Sequence, residues 1–134
     1  MPPSEISTRT ARLYMRPDGI VVSANLPNVG EQTLADAKEN IRAVAALNGG
    51  ERVPLYIDST APTSIAADAR KYYLSEESSR TVSAVAIVAG NMLSRVVANL
   101  LIPVQRQPVP MQLFATEAEA FAWLQRSRVV AKRA

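Results

Sequence analysis

An aspartate closes a short apolar run at Pro54-Leu55-Tyr56-Ile57-Asp58, and the hydroxyl-bearing residues Ser59, Thr60, Thr63 and Ser64 follow it within six positions. An acid at the end of a buried strand, with hydroxyls leading into an alanine-rich helix, is a common way to build a ligand or switch site on an α/β sheet. A second group of the same kind is Asn91, Ser94 and Arg95, at the start of a predicted helix. There backbone amides favour an anion and an arginine adds a bidentate contact. Asp58, Asn91, Ser94 and Arg95 are therefore the candidate ligand-binding residues. The plainer use of the same residues is an ion pair of Arg95 with Asp58 or Glu76, and a cap from Ser94.

The chain contains neither histidine nor cysteine. This removes the commonest general base, the commonest transition-metal ligand, thiolate catalysis and disulfides. Carboxylate or hydroxyl chemistry and oxygen-ligated Mg²⁺ or Ca²⁺ survive in principle, but no glycine-rich phosphate loop or calcium-loop pattern accompanies the carboxylates. Glu76-Glu77 and Glu117/Glu119 read as a solvated connector and a helix start. The expectation is a protein that is not an enzyme, with no catalytic residue, metal or cofactor.

Charge narrows the partners. The formal net charge is +3, but Arg126, Arg128, Lys132 and Arg133 supply +4, leaving residues 1–125 with 11 basic and 12 acidic groups. The body is thus nearly neutral. Phe121 and Trp123 alone lie near the basic end, which falls short of the interleaved aromatic platform of a single-strand binder. No nucleic-acid partner is expected. No apolar stretch reaches the eighteen or so residues of a spanning helix, and the start lacks a basic cluster followed by an apolar core. The expected location is cytoplasmic, with no membrane span.

Elements that position these residues follow from periodicity. With 134 residues, 48% of them hydrophobic, the chain has the size of one domain. Ala11–Arg16 and Ile20–Asn25 flank the turn Pro17-Asp18-Gly19, a predicted hairpin. Thr33 and Asp36 resemble a capping box for a helix whose Leu34, Ala37, Ile41, Val44 and Ala45 share one face, ended by Asn48-Gly49-Gly50. Val53–Ile57 and Val82–Ala89 read as strands buried on both faces. Between them Ser64 is predicted to cap a helix running to about Tyr73, with Ile65, Ala69 and one of Tyr72 and Tyr73 inward. Ser75–Arg80 is a polar connection with room for one helical turn. Asn91–Leu101 reads as helical, and Pro103, Pro108 and Pro110 as a stiff connection. Met111–Ala115 is the last strand, and Thr116 with Glu119 forms a capping box for a helix through Phe121, Trp123 and Leu124. The predicted fold class is α/β, a mixed, mostly parallel sheet of about five strands with about four helices in the order β-β-α-β-α-β-α-β-α. Residues 1–10 read as a flexible N-terminus, 11–127 as the domain and 128–134 as a basic tail.

In RPDGIVV, LADAKENIRAV, LYID followed by AADARKYYLSEESS, SAVAIVAGNMLSRVVANLL and QLFATEAEAFAWL, the chain resembles the STAS-like domains, particularly stand-alone SpoIIAA-like (anti-sigma factor antagonist-like) proteins. The resemblance covers roughly Arg12–Arg126. It implies a serine at the N-terminus of the helix after the third strand, phosphorylated to break a protein complex. Ser64 and Thr63 match that position best and Ser59 less well, while the family's Asp-Ser-Ser-Gly element is replaced by Asp58-Ser59-Thr60-Ala61-Pro62.

The leading expectation is a non-enzymatic protein-interaction and regulatory domain with a protein partner. A small-molecule binder for an anionic or lipid-like ligand near Asp58, Ser64 and Arg95 is the alternative, and a hydrolase or transferase using Asp58 as base ranks third. Val96, Val97, Leu100, Leu101 and Ile102 offer more apolar surface than one buried stripe needs, which leads us to expect a homodimer or higher homo-oligomer.

Overall fold

A computed structural model describes residues 4–61, 64–89 and 109–133, the last six of these by backbone alone. The predicted hairpin is present. Strand β2 (Ala11–Met15) pairs antiparallel with β3 (Val21–Asn25). The reversal between them needs a left-handed residue, and Gly19 supplies it at φ 86°. Residues 4–10, read as part of a flexible lead-in, instead contribute β1 (Glu5–Ser7), antiparallel to β2 at the sheet edge, and the fully buried Thr10.

Helix α1 (Leu34–Leu47) follows the two-residue strand β4 (Glu31–Gln32). Its capping box forms as predicted: the Asp36 N–H donates to Thr33 Oγ1 at 3.2 Å, and the Thr33 N–H donates to the Asp36 carboxylate at 2.9 Å. Beyond Leu47, Gly49 and Gly50 take positive φ, and the Gly50 N–H closes the helix end on the Ala45 carbonyl.

Strand β5 (Val53–Ser59) runs parallel to β3 on one side and to β7 (Val82–Ala89) on the other. Pro54 has no N–H to give the ladder, and the register shifts between Val53 and Pro54. Strand β8 (Met111–Phe114) adds to β7 in parallel, giving a six-stranded sheet ordered β1-β2-β3-β5-β7-β8. The five predicted strands are β2, β3, β5, β7 and β8. Strands β1, β4 and β6 (Ser64–Ile65) escaped prediction because two or three residues carry no periodicity.

One prediction is overturned here. Ser64 does not cap the second helix: α2 (Ala67–Tyr73) starts three residues later behind Ala66, which has no side chain to cap with. Ser64 and Ile65 are extended because β4 gives them a parallel partner, Glu31 opposite Ser64 and Gln32 opposite Ile65. The Ala66 N–H then donates to the Gln32 carbonyl at 3.0 Å. A tertiary backbone ladder has displaced a local side-chain cap.

The polar connection holds the extra turn α3 (Glu76–Ser79), capped by Ser75. The final helix α4 (Glu117–Arg133) continues through residues assigned to the tail. Its Thr116 accepts from the Glu119 N–H at 3.2 Å, but Glu119 Oε1 accepts from the Thr116 hydroxyl, so this is a side-chain cap of a different pattern from the predicted box. The predicted helix 91–101 lies outside the described residues.

Alternation along the strands divides the core in two. Leu13, Val21, Val53, Leu55, Val82 and Val85 pack with Val44 and Leu47 of α1. On the opposite face Ile20, Val22, Tyr56, Ala84, Ala86 and Val88 pack with Ala120, Phe121 and Leu124 of α4. Strands β5 and β7 contribute to both clusters, as their near-continuous apolar runs require.

Candidate functional site

Parallel register decides where the strands end. Ala24 lies opposite Asp58, Ser59 opposite Ala89, and Val88 opposite Phe114, so β3, β5, β7 and β8 finish at one edge of the sheet. Because β2 is antiparallel and Ala11 lies opposite Asn25, the Thr8–Thr10 turn comes to the same edge. The arrival of the β1–β2 turn at this edge is not expected from the sequence.

Asp58 ends on the α4 face of the sheet, with Tyr56, and its neighbour Ser59 ends on the α1 face, with Ile57. Adjacent in sequence, they are divided by the sheet. Asp58 Oδ1 accepts from the Thr60 N–H at 3.0 Å and from the Thr60 hydroxyl at 2.7 Å, a local turn that fixes the chain as it leaves β5. Ser59 Oγ accepts from Asn25 Nδ2 at 3.2 Å, tying β5 to β3. Ser64 is exposed on β6. Thr63, Asn91, Ser94 and Arg95 lie outside the described residues, as do Val96, Val97, Leu100, Leu101 and Ile102.

Beneath this edge, burial pushes the Tyr56 hydroxyl up to about 12, with the negative charges of Asp58 and Glu117 adding to the shift. Tyr56 therefore stays a neutral packing residue, its ring 4.4 Å from that of Phe121. The Arg16 guanidinium covers the other side of Phe121 at 3.7 Å and pairs with Asp18 at 3.1 Å.

Sequence reasoning missed Arg9. Its Nε donates to Asp36 Oδ1 at 2.8 Å and its Nη2 to Asp36 Oδ2, while Nη1 and Nη2 donate to the carbonyls of Val29 and Glu31 at 2.8 and 2.9 Å. Those bonds hold the Asp36 carboxyl well below the usual carboxylate range, against the opposing effect of its burial. Next to this ion pair, Asn40 Nδ2 donates to Thr10 Oγ1 and to the Tyr73 hydroxyl, each at 3.0 Å, and Asn40 Oδ1 accepts from the Thr8 hydroxyl at 2.6 Å. The Tyr73 hydroxyl in turn donates to Gln32 Oε1 at 2.7 Å. The inward tyrosine is thus Tyr73, and desolvation raises its pKa. No signal in the sequence marks Arg9, because its partners lie 20 to 30 residues away.

Each of the pairings between a hydroxyl and a carboxylate described here is local: Thr60 with Asp58, Thr33 with Asp36, and Thr116 with Glu119. They make turns and caps. Among the described residues no group of three carboxylates is placed to hold a metal ion, and no helix is long and apolar enough to cross a membrane.

A family model described as a domain of unknown function, DUF7793, matches residues 13–128. The chain belongs to the DUF7793 family. No curated protein is significantly similar to it. Among solved structures, an uncharacterised protein of the DUF3478 family from Shewanella loihica PV-4, described as having a SpoIIAA-like fold, is similar at 17% identity with a TM-score of 0.59. The match covers 85% of this chain and 91% of that one. The DUF7793 domain therefore has the SpoIIAA-like fold expected from the resemblance, with a six-stranded sheet in place of about five.

Proposed function

We propose that this DUF7793 domain is a non-enzymatic regulatory module that binds a protein partner through the strand-end edge, with residues 58–61 and the Ser64–Ile65 strand at its centre. The observation that carries this reading is the state of the polar groups there. Asp58 and Thr60 hold a turn, Asn25 holds Ser59, and Ser64 stands exposed on a paired strand, which makes an ordered hydroxyl-rich surface. Arg9 is committed to Asp36 and to the carbonyls of Val29 and Glu31, and Asp58 and Glu117 place negative charge beside Tyr56, which favours a protein surface over an anionic ligand.

A phosphate on Ser64 would act differently from one at a helix cap. Its cross-strand neighbour is Glu31, so added negative charge meets a carboxylate and works against the β4–β6 pairing.

The test is affinity capture of the tagged chain after crosslinking, followed by mass spectrometry, in parallel with Ser64→Glu. A protein bound by the wild type and lost with Ser64→Glu, at closely similar thermal stability of the two chains, supports the proposal. Identical captured proteins for both overturn it. Light scattering at several concentrations is expected to show a mass above that of one chain, and a constant monomer mass removes self-association.

A further inference from the structure

Strands β4 and β6 contain two residues each, too few to hold together alone. Their position is set by side chains from elsewhere, and both sets of contacts lead to one place. The Glu31 carbonyl is held by Arg9 Nη2, and Gln32, almost wholly buried, is held through Oε1 by the Tyr73 hydroxyl. Tyr73 is held by Asn40, and Asn40 by Thr8 and Thr10. Arg9 lies between those two threonines. The Thr8–Thr10 turn therefore anchors β4 twice, once through Arg9 and once through Asn40 and Tyr73. Asp36 adds to the Arg9 anchor, since its carboxylate accepts from Arg9 and from the Thr33 N–H that opens α1 right after β4.

We propose that the Thr8–Thr10 turn and the Ser64–Ile65 strand are the two ends of one conformational latch, coupled through β4 and the start of α1. These bonds satisfy four almost wholly buried polar residues, Thr10, Gln32, Asp36 and Asn40, and a partly satisfied network would leave some of them without partners, which favours two discrete states. When the turn lets go of Glu31 and Asn40, β4 loses its anchors, β6 loses its ladder, and α2 is freed at its first residue. Coupling between sites is reciprocal, so a negative charge on Ser64, opposed by Glu31, loosens the hold of Arg9 in return. The use of the latch rests on the partner-binding reading above: a partner that grips the β1–β2 turn would change the presentation of Ser64.

Amide hydrogen exchange on the full chain tests this. In Arg9→Ala the Ala66 amide, bonded to the Gln32 carbonyl, is expected to exchange faster by about fivefold or more, while the Ile57 and Ala86 amides in β5 and β7 keep their wild-type rates. Tyr73→Phe, which cuts the second anchor only, is expected to accelerate the same amide. In the reverse direction, Ser64→Glu is expected to accelerate the Asp36 amide that donates to Thr33. An Ala66 rate unchanged in both Arg9→Ala and Tyr73→Phe overturns the latch, as does an equal acceleration of all four amides. Exchange and capture fail separately: loss of capture in Ser64→Glu with no response of Ala66 to Arg9→Ala or Tyr73→Phe overturns the latch alone, and the opposite pair of results overturns partner binding alone.

Discussion

Asp36 closes the capping box of α1, holds the Arg9 guanidinium with both oxygens, and is itself buried. A buried carboxylate is tolerated only when its charge is matched and its lone pairs are occupied, and here four donors supply that: Thr33 N–H, the Thr33 hydroxyl, and two nitrogens of Arg9. Removing the cap alone, as Thr33→Ala, is expected to lower stability by about 1 kcal/mol in urea denaturation. Asp36→Ala should lose more, because Arg9 is orphaned as well. The folded-state pKa of Asp36 lies below its unfolded value, so its contribution is present above the ordinary carboxylate pKa of about 3.9 and disappears as the pH falls through and below it. Asp36→Asn is therefore expected to give a stability curve that falls less steeply below pH 4, measured by denaturant midpoints across pH 2 to 6. An unaltered slope would show that Asp36 binds its proton equally well folded and unfolded.

Helix α4 fastens to its face of the sheet through Phe121, which lies between the Tyr56 ring and the Arg16 guanidinium. Ala84, Ala86 and Ala120 are almost wholly buried at the same contact, and small side chains there let helix and sheet approach closely. Phe121→Ala is expected to cost about 3 to 4 kcal/mol, read from chemical denaturation, since a cavity would open below Arg16 with no small-to-large neighbour to fill it. Helix α2 is held differently. It is short and starts without a side-chain cap, so its place depends on Tyr73 and on the Ala66 bond to β4. That contrast explains why α4 was legible in the sequence and the start of α2 was not. Phe121, Leu124 and Thr116 announce a helix within one window, whereas the residue that fixes the start of α2 is Gln32, more than thirty positions earlier.

At the scale of the molecule, the lack of histidine and cysteine leaves no side chain that ordinarily titrates between about pH 4.3 and 8.5, and the raised tyrosines move further out of that range. Thermal stability is expected to be nearly flat from pH 5 to 8, apart from the small effect of the amino terminus. A Tm that changes by many degrees across that interval would require a lysine or carboxylate with a strongly displaced pKa. The sequence by itself determined the alternation of strands and helices, the hairpin, the capped starts of α1 and α4, and the absence of imidazole and thiol chemistry. Each of these rests on residue identity or on spacings within a single turn or strand. Only the tertiary structure decided that Ser64 belongs to a strand, that Asp58 and Ser59 face opposite sides of the sheet, and that Arg9 ties β4 to the first turn of α1. Hydrogen bonds between residues 20 to 41 positions apart form only once the chain has folded, and no local pattern encodes them.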